Sequence, residues 1–189
     1  MEEKNCMKID FANLQIQYQT YKDKIDANLH SILNKSNYIL GEEVGILEQE
    51  LQNFTGAKYA ITCSSGTDAL LLALMAMDIQ PGDEIITTPF TWISTGEMIA
   101  LLKAKPVFID IEPDTYNLDA NLIEAAITKK TKAIMPVSLY GQPADMDAIQ
   151  AVADKYNLKV IIDGAQSFGS TFNKKTDSNL GDISTTSFF

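Results

Sequence analysis

From Tyr59 onward the chain repeats one pattern. A short apolar run is followed by a loop rich in Gly, Ser, Thr or Pro, and then by apolar residues at helical spacing. Strands and helices that alternate in this way bury their apolar faces best as a mostly parallel sheet with helices on both sides. The expected fold is therefore α/β, with a mostly parallel central sheet and helices on both faces. The pattern predicts strands at residues 59–63, 84–88, 106–110, 133–137, 160–163 and 182–189. It predicts helices at 67–77, from the 89–92 loop to about 103, at 119–127 and at 146–156, the last with Asp145 as N-cap. Ahead of this repeat, apolar spacing predicts helices over 15–34 and 42–54, the second ended by Gly56. The polar stretch 169–179 predicts a hairpin.

The charge balance narrows the function. The chain carries 25 acidic and 15 basic residues, for a net charge of −10. Nucleic-acid binding needs a basic footprint, which is missing. Every basic residue is Lys, so an anion must be met by backbone amides, hydroxyls or Lys rather than by a guanidinium fork. Cys6 and Cys63 lie far apart in sequence, which fits a reduced, cytoplasmic setting. The N-terminal MEEKNCMKID lacks an apolar leader core, and no apolar run is long enough to span a bilayer. One His, His30, and two scattered Cys do not make a metal site.

Four segments carry chemistry. The apolar run 160–162 delivers Asp163 at its C-terminal end, where open α/β sheets place ligands. A carboxylate there costs free energy unless a cation or a hydrogen-bond donor meets it. The protonated pyridine nitrogen of a bound cofactor would do so, and Gln166 would reach a substituent of the same ring. The ordinary alternative is a strand-end Asp that caps the next turn. Ser64-Ser65-Gly66-Thr67-Asp68 joins a strand to a helix, and free N–H groups at a helix N-terminus suit a phosphate. Gly66 lets the backbone approach closely, while Ser65 and Thr67 add hydroxyls. The ordinary alternative is a Ser/Thr N-cap. The segment is neither a Walker motif nor GxGxxG. Trp92, the only Trp, follows a strand in PFTWIST and either offers its face to a flat ring or pins the loop from the core. Ser187, near the end of the last run, would add a phosphate donor. A phosphate seat, an aromatic face and a carboxylate beside an amide together describe a pocket for pyridoxal 5′-phosphate (PLP). A carboxylate that keeps its ring nitrogen protonated makes the ring an electron sink.

SNYILGEEVGILEQEL, SSGTDALLLAL, PGDEIITTPFTWISTGEMIALLKAKPVFIDI, SLYGQPADMDAI and IIDGAQSFGS follow one another along nearly the whole chain. These motifs resemble the nucleotide-sugar aminotransferases of PLP fold type I, the DegT/DnrJ/StrS group. The resemblance implies the cofactor-binding large domain of that fold over 59–189, after an N-terminal helical segment over 1–58. It implies that Gly66 and Thr67 hold the cofactor phosphate, with Ser187 as a further ligand. It implies that Trp92 stacks on the pyridine ring, that Asp163 pairs with the ring nitrogen and that Gln166 bonds the ring hydroxyl. The implied activity is transamination of a nucleotide-linked keto-sugar, with L-glutamate as donor, by a homodimer whose site is shared between subunits. SLYGQPADMDAI resembles members that aminate UDP-linked sugars for bacterial surface glycans.

Two departures matter. In that group SFF is typically followed by Pro, a variable residue and the Lys that forms the Schiff base. The sequence ends at Phe189, so that Lys and the group's smaller C-terminal domain are expected beyond it, and the fragment alone is expected to be inactive. Lys174 and Lys175, in the polar hairpin, do not occupy the motif position. Ser138 stands where the group often has His before LYG. Two other readings stay open: a PLP-dependent sugar dehydratase of the same family, in which His replaces the Lys, and a non-catalytic module that binds a phosphorylated ligand.

Overall fold

The structure, a computed structural model, describes residues 12–188. Cys6, the rest of the polar N-terminal stretch and Phe189 lie outside the described residues. The chain divides into two compact units, one through Gly45 and one from Ile46 onward. The first unit holds α1 (Leu14–Lys35) and the opening turn of α2 (Glu42–Thr55). The Asn13 side chain caps α1 by accepting the Ile16 N–H at 3.0 Å. Ser36, in the left-handed region, ends it by donating its N–H to the Ile32 and Leu33 carbonyls. The helix expected over 15–34 is present, but none of its residues is buried, and Ile16, Leu29 and Leu33 stay exposed. His30 is exposed on α1, its Nδ1 2.7 Å from the Asp26 carbonyl oxygen. No helix among the described residues is long and apolar enough to cross a membrane.

In the second unit α2 ends at Gly56, whose φ of +75° is one that only Gly adopts without strain. Then come α3 (Gly66–Ala76), β1 (Glu84–Thr87), α4 (Ser94–Leu101) and β2 (Lys105–Phe108). A 3₁₀ turn at Ala120–Leu122 leads into α5 (Ile123–Ala126), followed by β3 (Thr131–Ile134), α6 (Met146–Tyr156) and β4 (Lys159–Asp163). The hairpin β5 (Thr171–Phe172) and β6 (Lys175–Thr176) precedes β7 (Ile183–Thr185). Asp145 caps α6 as expected, accepting the Ala148 N–H at 3.1 Å.

Five strands form one sheet in the order β2-β1-β3-β4-β7, every pair parallel. Alternate residues serve opposite faces. Ile86, Ile134, Val160 and Ile162 join Ile123 of α5 and Ile149 and Ala153 of α6 in one core. Ile85, Ala133, Met135 and Ile161 join Leu70 and Leu74 of α3 and Met98 and Ile99 of α4 in the other. Burial on both faces is why the strands read as unbroken apolar runs. Strand order reverses at β1, which lies between β2 and β3. Such a reversal opens a crevice at the C-terminal ends of the strands.

Two expected strands need correction. Residues 59–63 form no strand. Tyr59 and Ile61 are exposed, and the Thr62 N–H and hydroxyl both go to Glu48 Oε1, at 2.8 and 2.9 Å. A strand needs a neighbour, and among the described residues none pairs with this stretch. The strand expected over 182–189 is shorter, because pairing with β4 covers Ile183 to Thr185. Phe188 instead packs edge-on against Phe168, with ring centroids 5.1 Å apart.

Ile162 is fully buried between β4 and α6. Ile162→Ala should cost about 3 kcal/mol of unfolding free energy by leaving a cavity. Urea denaturation measures this, and a loss under about 1 kcal/mol would mean that this core is not packed as described.

Candidate functional site

Ser65 starts α3 in extended conformation. Its Oγ accepts the Asp68 N–H at 3.1 Å and its hydroxyl faces Asp68 Oδ2 at 3.0 Å. The Ser64 hydroxyl donates to the same carboxylate oxygen. These two hydroxyls, Ser64 first, hold Asp68 below the usual carboxylate range. The N-cap reading of Ser65 is therefore correct, and its hydroxyl serves the helix rather than a ligand. Thr67 Oγ1 pairs with Ser94 Oγ at 2.9 Å. The N–H groups of Gly66 and Thr67 find no backbone acceptor among the described residues, as expected for the first turn of a helix. Gly66 is required by crowding: a Cβ there would lie 2.9 Å from Ser187 Cβ and 3.2 Å from its Oγ. Two open amides and a serine hydroxyl group thus gather at one helix end, drawn from opposite ends of the second unit.

Asp163 closes β4 and is 4% exposed. Its backbone continues the sheet past the end of β3, with the Asp163 N–H on the Pro136 carbonyl and the Ser138 N–H on the Asp163 carbonyl, each at 3.0 Å. Thr95, fully buried on α4, donates its hydroxyl to Asp163 Oδ2 at 2.7 Å. That uses the only Thr95 proton, so in the 3.0 Å pair with Thr91 it is Thr91 that donates. The Ala165 N–H reaches Oδ1 at 3.3 Å. Burial raises the Asp163 pKa, and the bonds from Thr95 and Ala165 oppose it in part. Among the described residues no Lys or His forms an ion pair with this carboxylate. A buried acid with two donors and no counter-ion suits a cationic N–H on a ligand.

Gln166 Oε1 accepts the Tyr140 N–H at 2.8 Å. That bond orients the side chain and leaves its NH₂ as the donating end. Tyr140 holds a left-handed φ of 55°, strained for a non-glycine residue. Trp92 is 72% exposed, so it is not a core residue pinning its loop. Gly66, Thr67, Trp92, Asp163, Gln166 and Ser187 all line one cleft of about 400 Å³, shared with Thr91, Ser94, Val137 and Leu139. It sits at the C-terminal ends of β1, β3, β4 and β7, where the sheet topology predicts it. A larger cavity of about 650 Å³ elsewhere is walled by Glu112, Asp145 and Asp147, with no cation on its lining. That wall repels a phosphate. Among the described residues no group of three His, Cys, Asp or Glu side chains could hold a metal ion.

Sequence reasoning missed Thr95 and Asp177. Thr95 lies in the first turn of α4, and Thr91, in the loop before that helix, meets it hydroxyl to hydroxyl at 3.0 Å. The sequence neighbourhood of Thr95 carries no signal of its contact with Asp163, 68 residues further along the chain. Asp177, in the segment expected only as a polar hairpin, is 1% exposed. It takes hydroxyl hydrogen bonds from Ser138, at 3.0 Å, and from Ser167. Nothing in its sequence neighbourhood announces burial.

A parallel sheet covered on both faces, with open helix amides and a buried carboxylate in one cleft at the C-terminal ends of its strands, has the layout of a ligand-binding α/β domain. A family model described as the DegT/DnrJ/EryC1/StrS aminotransferase family matches residues 19–189, and the chain belongs to that family. It is 55% identical over 181 residues to a UDP-2-acetamido-2-deoxy-3-oxo-D-glucuronate aminotransferase of Pseudomonas aeruginosa, covering 96% of this chain and 50% of that protein. The structure superposes on a crystal structure of a DegT DnrJ EryC1 StrS aminotransferase from Brucella abortus with a TM-score of 0.92, at 35% identity, covering 96% of this chain and 51% of the other. It also matches NtdA from Bacillus subtilis with bound cofactor PMP, with a TM-score of 0.86 at 31% identity, covering 97% and 42%. The chain spans about half the length of the relatives it matches.

The raised pKa of Asp163 has a stability consequence. Between the unfolded and folded values the native state binds more protons, so this group's contribution is most favourable in acid and is lost as pH rises through the folded value. Without ligand, Asp163→Asn should therefore raise the melting temperature at pH 7 and should gain less at pH 4. Thermal unfolding at both pH values checks this, and a variant less stable at pH 7 would mean that the carboxylate is stabilised in place.

Proposed function

We propose that the complete protein carrying this chain is a PLP-dependent aminotransferase. In this reading it moves an amino group from L-glutamate to a nucleotide-linked keto-sugar, UDP-linked, for a bacterial surface glycan. The observation that carries the proposal is the uncompensated carboxylate of Asp163, facing the same cleft as the open amides of α3. The relative from Pseudomonas aeruginosa, named for a UDP-linked oxo-sugar, supports the substrate class. The neighbour with PMP, the aminated form of PLP, supports the cofactor.

PLP supplies an electron sink and a carrier for the amino group. The chain's own residues bind, orient and hold a proton. The Gly66 and Thr67 amides and the Ser187 hydroxyl group would hold the phosphate at the α3 N-terminus, where the helix dipole favours negative charge. With no Arg in the chain, backbone donors and hydroxyls carry that task. Trp92 would cover one face of the ring. Asp163, steadied by Thr95, would accept the ring N–H and keep its proton there. Gln166, with its oxygen taken by Tyr140, would donate its NH₂ to the ring hydroxyl. The covalent anchor would be a Lys that follows Phe189. The protein would be cytoplasmic and act as a homodimer, and the exposed apolar residues Ile16, Leu29 and Leu33 of α1 fit burial by a second subunit.

Borohydride reduction of the complete protein with PLP should give a covalent pyridoxyl adduct by intact mass. A protein that binds no PLP and gains no adduct would end this reading. Trp92 is the only Trp of this 189-residue sequence, and the part of the complete protein's fluorescence that Trp92→Ala removes reports on the ring. PLP binding should quench it, and Trp92→Ala should weaken PLP binding about tenfold. Unchanged affinity would rule out the stacking role.

A further inference from the structure

Beneath the turn that carries Asp163 and Gln166 lies a second buried carboxylate. Asp177 sits in the 3₁₀ turn Asp177–Asn179 between β6 and β7. Each of its oxygens takes one serine hydroxyl: Ser138 donates to Oδ1 at 3.0 Å, and Ser167 donates to Oδ2. Ser138 follows β3, and Ser167 lies four residues past Asp163, so the carboxylate ties the loops leaving two strands to each other. Gly164 fits between them only because it has no side chain. A Cβ there would lie 3.1 Å from Asp177 Oδ2, 3.1 Å from Ser167 Oγ and 2.9 Å from the Thr185 carbonyl oxygen. Asp177 is fastened by its own backbone as well. Its N–H goes to the Ser170 carbonyl at 2.9 Å, and its carbonyl accepts the Ser184 hydroxyl at 3.1 Å.

We propose that Asp177 is a positioning residue that fixes the 163–167 turn and sets a second negative charge behind Asp163, so that the ring nitrogen of bound PLP keeps its proton. The proposal rests on the PLP reading above. One donor on each oxygen is the arrangement that suits an ionised carboxylate. The groups facing it from β7 and from the β3 loop are the uncharged Ser184 and Ser138, and Lys174 and Lys175 of its own hairpin are exposed. The charged group that acts on it is Asp163, whose charge adds to burial in raising the Asp177 pKa. Coulomb interaction is mutual, so the Asp177 charge also favours a proton held at Asp163 or on a ring nitrogen bonded to it.

The test follows the ring nitrogen directly, by NMR of the complete protein loaded with PLP labelled with ¹⁵N in the ring. In the wild type the nitrogen should remain protonated through neutral pH. Asp177→Asn keeps the shape and removes the charge, and it should lower the pH at which the ring proton is lost by about one unit, a tenfold change in proton affinity. Ser138→Ala leaves Asp177 in place but removes a donor that favours its charged form. It should shift the ring nitrogen in the same direction, and it reads the same quantity should Asp177→Asn fail to fold. If the wild type binds PLP and neither variant moves the ring titration, Asp177 is structural only and the proposal is overturned. If the wild type binds no PLP, the cofactor reading falls, and this proposal falls with it.

Discussion

The site is built around a carboxylate buried without a counter-ion among the described residues. Asp163 is removed from water by the sheet that presents it, and two donors, Thr95 and the Ala165 N–H, meet only part of its need. Such a group destabilises a fold unless the surroundings over-determine it. Here they do. β4 is packed on both faces, its alternate residues belong to separate cores, and the backbone N–H and carbonyl of Asp163 are both bonded to residues 136–138 while the next residue, Gly164, donates its N–H to the Thr185 carbonyl. The apolar architecture is what holds a charged group where water would otherwise reclaim it.

The α3 N-terminus resolves an either-or question. Capping and anion binding looked like competing uses of Ser64 to Asp68. The hydroxyls of Ser64 and Ser65 go to Asp68, and the backbone amides of Gly66 and Thr67 stay open. The two uses are compatible because they draw on different atoms. In a chain without Arg, two backbone donors are thus left open at this helix end.

Local features were legible in the sequence to the degree that they are local. Asp145 as the cap of α6, Gly56 as the stop of α2 and the apolar run into Asp163 all depend on neighbours a few residues away. The convergence of Trp92, Asp163, Gln166 and Ser187 on one cleft was also legible, because each follows a strand and parallel strands gather their C-terminal ends, whereas Gly66 joins them from the N-terminus of α3 with no strand directly before it. What failed was set by distant partners. Residues 59–63 have strand composition, but strand formation requires a neighbour, and Glu48 takes the Thr62 N–H instead. Asp177 looks like any acid in a polar hairpin. Only Ser138 and Ser167, from two other loops, make it a buried carboxylate.

The close approach of Gly66 and Ser187 carries a consequence for biogenesis. The two residues lie near opposite ends of the second unit, so the α3 N-terminus and Ser187 meet only once β7 has docked on β4. Contacts of such high sequence separation form late and slowly. A chain in which β7 has not docked therefore lacks the Ser187 side of the cleft. Any ligand that binds there selects the finished fold and, by mass action, holds it against unfolding.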